Sequence, residues 1–112
     1  MIEQVRPAEF EAWSTGVSPK PLLLDVREPW ELQTAAVTAP AGVELVAIPM
    51  NEIPARLAEL DPARPVACLC HHGARSQRVA AFLAQQGFAE VANVAGGIDA
   101  WSATREPAVP RY

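Results

Sequence analysis

The residues best suited to chemistry lie in one short segment, residues 70–76, which reads Cys-His-His-Gly-Ala-Arg-Ser. The apolar run before it, residues 65–70, is typical of a buried strand, and the spacing of Val79, Phe82 and Leu83 after it predicts a helix. A cysteine at such a junction is a candidate nucleophile, because the thiolate is the attacking species and a helix N-terminus with nearby cations favours it. The N–H groups of the turn can also converge on an anion. The segment therefore predicts a loop that holds a charged sulfur.

The charge around this segment differs from that of the whole chain. The 112-residue chain has a formal net charge of −4 and a pI near 5.1. Residues 62–89 nevertheless contain no Asp or Glu and include Arg64, Arg75 and Arg78. Such a basic window suits a small anionic substrate. The alternative is that Cys70 is a buried, unreactive cysteine, since free cysteines often pack as small hydrophobes; the strand, loop and helix around it favour the reactive interpretation.

Three motifs together resemble a known family. They are the Cys-x4-Arg of residues 70–75, the Leu-Leu-Asp-Val-Arg-Glu of residues 23–28 and the Gly-Gly-Ile-Asp-Ala-Trp of residues 96–101. Their types and their order resemble those of single-domain rhodaneses, and they span nearly the whole chain. The resemblance implies that Cys70 attacks a sulfane-sulfur donor such as thiosulfate and carries the sulfur as a persulfide. A thiophilic acceptor such as cyanide then removes it.

The resemblance also implies which residues bind the substrate. The loop after the cysteine forms the cradle, and its expected members are His71, His72, Gly73, Ala74, Arg75 and Ser76. We expect no metal and no organic cofactor. The expected partners are a small anionic sulfur donor and an acceptor that is a thiol, cyanide or a sulfur-acceptor protein, and neither a nucleic acid nor a membrane.

Asp25 and Arg27 are expected to support the site. They lie at the end of a buried strand, where they can pair with each other or with loop groups below the cysteine. Alternatively, Asp25 only ends the strand and Arg27 reaches a surface carboxylate such as Glu28 or Glu31. We favour a supporting structural role, because neither residue type supplies sulfur chemistry, and the resemblance agrees with this assignment.

Arg75 and Ser76 have alternatives of their own. Arg75 either points into the cradle or stays outside and pairs with an acidic residue. A cation in the first turn of a helix is opposed by the helix dipole, so its presence there indicates a nearby anion, and we favour the orientation into the cradle. Ser76 is a suitable N-cap for the helix, and we prefer that role to a catalytic one. Arg78, one turn later, is expected at the rim.

His71, His72, Cys68 and Cys70 invite a metal interpretation, which we do not favour. Structural zinc sites use Cys-x2–4-Cys and His-x3–5-His spacings from two segments, and these residues fit neither. We expect the imidazoles to line the loop, and Cys68 to be a core residue. Its alternative role as a resolving thiol is weakened because residues i and i+2 of a strand are poorly placed to form a disulfide.

Composition limits the class of protein. Half of the residues are apolar and a fifth are charged, which is an ordinary globular balance. At 112 residues the chain is expected to form one domain over residues 1–112, and the resemblance implies that this domain is rhodanese-like. No apolar run approaches the ~20 residues that span a bilayer, and residues 1–6 lack the features of a secretory signal. Two cysteines only two positions apart form no disulfide framework. We therefore expect a cytoplasmic protein.

The predicted elements alternate between strands and helices. This pattern predicts an α/β fold with a mostly parallel central sheet of about five strands and helices on both faces. Cys70 and Asp25 fall at carboxyl ends of strands, where such sheets bind ligands. The predicted strands lie at residues 2–5, 21–26, 44–48, 65–70 and 91–94, and the predicted helices at residues 7–13, from residue 28, at residues 52–60 with Asn51 as cap, and after the cysteine loop.

Two other functions use a similar loop. Phosphatases and arsenate reductases that resemble rhodaneses carry Cys-x5-Arg, one residue more than the spacing from Cys70 to Arg75. Non-catalytic rhodanese-like domains with a binding or regulatory role commonly lose the cysteine, which this chain keeps. Residues 34–44 also lack the histidine-containing turn of many rhodaneses. The sequence favours a sulfurtransferase of the thiosulfate sulfurtransferase type that acts through a Cys70 persulfide.

Overall fold

A five-stranded parallel sheet forms the centre of the protein, of which the computed structural model describes residues 2–112. All four strand pairs are parallel, and the strand order is β1-β5-β4-β2-β3. This confirms the predicted α/β class and the number of strands. The strands are β1 (Glu3–Val5), β2 (Leu22–Asp25), β3 (Glu44–Ala47), β4 (Val66–Leu69) and β5 (Val91–Val94).

Two of the three inner strands, β2 and β4, are buried at every position. Their sequences, Leu-Leu-Leu-Asp and Val-Ala-Cys-Leu, are nearly continuous apolar runs, as expected for parallel strands covered on both faces. The register places Leu24 opposite Cys68 and Cys68 opposite Asn93. Asn93 is therefore a buried polar residue in the middle of the sheet.

Helices cover both faces of the sheet, as predicted. Phe10 of α1 and Trp101 of α4 pack in the cluster on one face, with a ring-centroid distance of 5.3 Å. Val79 and Leu83 of α3 pack in the cluster on the other face, together with Cys68. The helices are α1 (Phe10–Thr15), α2 (Pro29–Thr34), α3 (Ala74–Gln85) and α4 (Gly97–Thr104).

Two predicted helices differ from the structure. The helix predicted over residues 52–60 is wrong, because this segment forms two short 3₁₀ helices, Met50–Glu52 and Leu57–Glu59, joined by turns. Pro49, rather than Asn51, precedes the first of them. Burial of the apolar residues of the segment against the sheet outweighs regular helix geometry. The helix predicted from residue 7 begins as a 3₁₀ turn before α1.

The carboxyl ends of β2, β4 and β5 meet at one edge of the sheet. Asp25 ends β2, Cys70 directly follows β4, and β5 ends at Val94 on the other side of β4. The edge at Cys70 is where an open parallel sheet binds ligands.

In the described part of the chain, no helix combines the length and apolar character needed to cross a membrane.

Candidate active site

Cys70 lies at the junction between β4 and α3, with only 1% of its surface exposed. Its Sγ accepts a hydrogen bond from the Gly73 backbone N–H at 3.1 Å. The Ser76 hydroxyl lies 3.2 Å from the same sulfur and can donate to it. Two donors aimed at one sulfur stabilise negative charge there, because hydrogen bonds to an ionised acceptor are stronger than neutral ones.

The N-cap of α3 is Gly73 and not Ser76, so the predicted capping role of Ser76 is wrong. Gly73 has a φ of +108°, and the helix begins at Ala74. A glycine adopts this left-handed conformation without the steric cost of a side chain. Ser76 consequently lies inside the first turn, fully buried, and its hydroxyl is free of the cap and faces Cys70.

The carbonyl groups of the loop are held from the outside by α4. The N–H of Ile98 donates to the Cys70 carbonyl at 2.8 Å, and that of Asp99 donates to the His71 carbonyl at 3.1 Å. In a trans peptide the carbonyl and the next N–H point in opposite directions. The N–H groups of His71 and His72 are therefore turned away from α4, and those of the first turn of α3 have no partner within the helix. These are the donors of the expected cradle.

Gly97 allows α4 to approach the loop this closely. It has a φ of +62°, and a Cβ at this position would overlap the carbonyl oxygens of Cys70 and His71. The second glycine of the third motif thus has a direct structural reason.

Asn93 of β5 holds the other side of the loop, a contact that the sequence interpretation missed. Its Nδ2 donates to the Gly73 carbonyl at 3.2 Å and to Gln4 Oε1 at 3.0 Å. The Ser76 hydroxyl lies 2.5 Å from Asn93 Oδ1. One signal was available, since Asn93 is the only polar residue in the otherwise apolar strand of residues 91–94.

Arg75 pairs with Glu31, a residue of α2 that the sequence analysis named only as an alternative partner for Arg27. Its Nη1 and Nη2 donate to Glu31 Oε1 and Oε2 at 2.7 and 2.8 Å, which is a bidentate pair. The structure therefore shows the alternative that we did not favour, pairing with an acidic residue, and the anion indicated by a cation in the first helical turn is this carboxylate. The Arg75 side chain is 30% exposed and that of Glu31 only 4%. Binding of the anionic sulfur donor by Arg75 stays a prediction.

The Glu31 carboxylate accepts two further hydrogen bonds. The backbone N–H of Glu28 donates to it at 3.0 Å and the Tyr112 hydroxyl at 2.7 Å. The hydrogen bonds from Arg75, with help from these donors, outweigh desolvation and lower the pKa of Glu31 to about 2. The same pairing raises the pKa of Arg75, so both groups remain charged.

Asp25 and Arg27 form a buried ion pair with each other, one of the two arrangements expected. Arg27 Nη2 donates to Asp25 Oδ2 at 2.7 Å, and the two side chains are 0% and 2% exposed. Arg27 Nη1 donates to the Tyr112 hydroxyl at 3.0 Å. Tyr112 thereby connects this pair to the pair of Glu31 and Arg75. Breaking such a buried pair typically costs about 3–5 kcal/mol.

Aromatic rings stack beside the loop. The His71 ring stacks on His72 and on Tyr112, each with a centroid distance of 3.9 Å. Within residues 2–112, His71 Nε2 is buried without a hydrogen-bond partner, so stacking positions that end of the ring. Trp30 is 62% exposed and meets the Tyr112 ring edge-on at 6.1 Å. Tyr112 gave no signal in the sequence because it is 41 residues from His71.

Cys68 differs from Cys70 in its surroundings. It is fully buried in the cluster under α3, and burial raises the pKa of the Cys68 thiol, with a further contribution from Cys70. A neutral buried thiol is a poor nucleophile, which is consistent with a core residue. Among the described residues, no group of three or more His, Cys, Asp or Glu is placed to hold a metal ion.

The arrangement defines a class of site: a cysteine loop at the carboxyl edge of a parallel sheet, with its N–H groups placed to receive an anion. A family model described as the rhodanese-like domain matches residues 7–104. The chain therefore belongs to the rhodanese-like domain family. This confirms the resemblance found in the three motifs.

Named sulfurtransferases are also similar to this chain. A sulfurtransferase of Allochromatium vinosum is 41% identical over 81 residues, covering 72% of this chain and 71% of the relative. A thiosulfate sulfurtransferase GlpE of Pseudomonas savastanoi pv. phaseolicola is 36% identical over 83 residues, covering 74% of each. A crystal structure of a rhodanese-related protein from Thermoplasma volcanium superposes with a TM-score of 0.75 at 29% identity, covering 98% of this chain and 99% of that one.

The close approach of α4 to the loop can be tested by stability. We expect Gly97→Ala to lower the free energy of unfolding by roughly 2–5 kcal/mol, the sum of a left-handed alanine and the steric overlap. Gly87→Ala is the matched control, because Gly87 also has a positive φ, +91°, but open space at its Cβ. It should cost only about 1–2 kcal/mol. Equal losses in urea denaturation of the two variants would contradict the close approach.

The pairing of Glu31 predicts a dependence of stability on pH. Because the folded pKa of about 2 lies below the ordinary value of 4.5, the pair stabilises the fold fully above pH 4.5. This contribution is lost as the pH falls from 4.5 towards 2. Glu31→Gln should lower the free energy of unfolding by up to about 3 kcal/mol at pH 7, and the difference from wild type should shrink across that window.

Glu59→Gln is the control for this measurement. Glu59 also pairs with an arginine, Arg56, but its side chain is 54% exposed, so solvent screens the interaction. Its substitution should change the acid dependence little. A Glu31→Gln variant whose urea-denaturation curves follow wild type between pH 7 and pH 2 would refute the assigned role.

Proposed function

We propose that this protein is a sulfurtransferase that moves sulfane sulfur from thiosulfate, or a similar anionic donor, to a thiophilic acceptor through a persulfide on Cys70. The observation that carries the proposal is the surroundings of Cys70 Sγ. The Gly73 N–H and the Ser76 hydroxyl are placed to donate to this sulfur, and carbonyl groups of the loop are bound by N–H groups of α4. Membership of the rhodanese-like family and the named sulfurtransferase relatives support it.

In the first half-reaction the Cys70 thiolate attacks the outer sulfur of thiosulfate. The new bond joins Cys70 Sγ to that sulfur, the sulfur–sulfur bond of thiosulfate breaks, and its electron pair leaves with sulfite. The negative charge of the enzyme moves from Sγ to the outer sulfur of the persulfide. No metal or redox cofactor takes part in this displacement.

The loop N–H groups hold the charge as it moves outward. Donors fixed before the reaction stabilise a developing charge without the cost of reorganising solvent. In this assignment the backbone of His71, His72, Gly73 and Ala74 provides the cradle. Arg75 borders the cradle, and Glu31 holds it in place and balances its charge through the bidentate pair.

In the second half-reaction a nucleophile attacks the outer sulfur and Cys70 leaves as thiolate. The acceptor is cyanide, a thiol or the cysteine of an acceptor protein. The exposed ring of Trp30 lies near the stacked rings of His71 and Tyr112 and is available to contact such an acceptor. Both cysteines are free thiols, and a reducing compartment such as the cytoplasm suits a catalyst of this kind.

The pairing of Arg75 also bears on phosphatase or arsenate reductase activity. A phosphatase needs its loop arginine to bind the oxyanion, whereas Nη1 and Nη2 of Arg75 each donate a hydrogen bond to Glu31. The loop is also one residue shorter than Cys-x5-Arg. Both observations favour sulfur transfer, and retention of the cysteine argues against a purely regulatory domain.

The two cysteines should differ sharply in function. We expect Cys70→Ser to reduce thiosulfate:cyanide sulfur transfer to background, because it removes the sulfur that carries the persulfide. Cys68→Ser buries a hydroxyl at a cost of about 1–3 kcal/mol but should retain substantial turnover. Thermal unfolding establishes that both variants fold. Equal loss of activity in two folded variants would contradict the assignment of Cys70 as sole nucleophile.

The class of substrate can be decided in one comparison. Offered thiosulfate and an aryl phosphate separately, the wild-type protein should transfer sulfur from the first and leave the second intact. Mass spectrometry of the peptide containing Cys70 should then show one added sulfur after thiosulfate treatment. Rapid hydrolysis of the aryl phosphate, with no persulfide detected, would contradict the proposed sulfur transfer and indicate a phosphatase.

A further inference from the structure

The Ser76 hydroxyl lies between two buried acceptors, the Cys70 sulfur and the Asn93 side-chain amide. We propose that this hydroxyl is a movable donor: it donates to Cys70 Sγ when that sulfur is a thiolate and to Asn93 Oδ1 when the sulfur is a persulfide. Ser76 is then a catalytic residue and Asn93 a positioning residue that acts through it. The proposal rests on the proposed sulfur transfer and names how the site serves both half-reactions.

The geometry allows only one of the two hydrogen bonds at a time. Ser76 Oγ lies 3.2 Å from Cys70 Sγ and 2.5 Å from Asn93 Oδ1. A serine hydroxyl has a single proton, so it can satisfy one acceptor and leaves the other without it. Ser76 is 0% and Asn93 3% exposed, so bulk water is not in place to satisfy the one that is left.

The orientation of the Asn93 amide is fixed by its other end. Nδ2 donates to the carbonyl of Gly73 and to Oε1 of Gln4, both of which are acceptors in these contacts. Flipping the amide would place an oxygen against the Gly73 carbonyl. Oδ1 therefore faces Ser76, which is its only hydrogen-bond donor among the described residues.

The charge on Cys70 decides which acceptor is stronger. A thiolate attracts a charge-assisted hydrogen bond, about twice as strong as a neutral one, so Ser76 turns towards Sγ in the resting enzyme. In the persulfide the charge lies on the outer sulfur, and Sγ becomes a weak acceptor like a thioether. Ser76 then returns to Asn93, whose amide oxygen is the better neutral acceptor.

This exchange assists the departure of Cys70. When cyanide attacks the outer sulfur, the new bond is carbon–sulfur, the sulfur–sulfur bond of the persulfide breaks, and its electron pair goes to Sγ. The products are thiocyanate and the Cys70 thiolate, and no proton is gained or lost. The growing charge on Sγ draws the Ser76 hydroxyl from Asn93, which stabilises the leaving thiolate.

Ser76 and Asn93 variants should shift the two half-reactions in opposite directions. In Ser76→Ala the thiolate loses a donor, so persulfide formation from thiosulfate is favoured and discharge to cyanide slows. In Asn93→Ala the hydroxyl has only Sγ as acceptor, so the thiolate is more stabilised, loading slows and discharge does not. A loosened loop alone would slow both steps together.

The measurement is the ratio of the loading rate to the discharge rate in single-turnover mixing experiments. Both are measured at a pH where iodoacetamide alkylation has reached its plateau, so that the sulfur is ionised in every variant. We expect the ratio to rise on the order of tenfold in Ser76→Ala and to fall in Asn93→Ala, as for loss or gain of a charged hydrogen bond. Ser76→Thr keeps the hydroxyl and should return the ratio towards wild type.

Two controls separate this role from general disturbance. Gln85→Ala alters an exposed residue at the far end of α3, and it should leave the ratio unchanged. The double variant Ser76→Ala, Asn93→Ala should have the ratio of Ser76→Ala alone, because Asn93 reaches Sγ only through the hydroxyl, and loss of its contact with the Gly73 carbonyl slows both steps alike.

Failure of this proposal differs from failure of the proposed function. A ratio that is unchanged in Ser76→Ala, or that shifts in the same direction in Ser76→Ala and Asn93→Ala, refutes the movable donor while sulfur transfer stands. If wild type forms no persulfide, the proposed function fails, and the alkylation plateau still decides the hydroxyl's role. The plateau rate should rise in Ser76→Ala, where the thiolate is less stabilised, and fall in Asn93→Ala; equal plateaus refute it.

Discussion

The loop of residues 70–76 can offer its N–H groups to an anion only because its carbonyl groups are engaged elsewhere. The N–H groups of Ile98 and Asp99 bind two of these carbonyls from α4, and Asn93 binds a third from β5. Each of these contacts requires a particular neighbour: a glycine at position 97 without a side chain, and an amide in the centre of an otherwise apolar strand. The conformation of the loop is thus imposed by elements that follow it in the sequence, and the cysteine strand alone cannot specify it.

Charge around the site is balanced rather than accumulated. Two acids and two arginines form two ion pairs, Asp25 with Arg27 and Glu31 with Arg75, and the Tyr112 hydroxyl joins them. Neither arginine is a free cation, so backbone dipoles must supply most of the attraction for an anion in the loop. The basic window between residues 62 and 89 is therefore less positive than its sequence indicates, because the charge of Arg75 is neutralised by Glu31, 44 positions earlier in the chain.

The sequence was sufficient where one element carries the signal. Apolar runs predicted β2 and β4 because parallel strands buried on both faces need them, and the junction at Cys70 followed from the strand and helix on either side. The helix predicted over residues 52–60 is wrong because the apolar residues at positions 53, 57 and 60 have helical spacing, whereas in the structure 3₁₀ helices and turns bring them against the core. Partners distant in sequence, such as Asn93 for Ser76 and Tyr112 for His71, leave no local pattern. The N-cap role predicted for Ser76 is wrong for a local reason, because Gly73 already caps the helix.

A sulfur that is nucleophile in one step and leaving group in the next makes opposite demands on its surroundings. A donor fixed on Sγ, such as the Gly73 N–H, stabilises the leaving thiolate but weakens the same thiolate as a nucleophile. The backbone cannot adjust between the steps, because α4 and Asn93 hold it. Only a rotating group can, and Ser76 is the side chain in contact with Sγ that has a second acceptor available. The rigidity that forms the cradle therefore makes a movable hydroxyl beside the sulfur useful, since it lets one fixed loop serve both directions of charge movement.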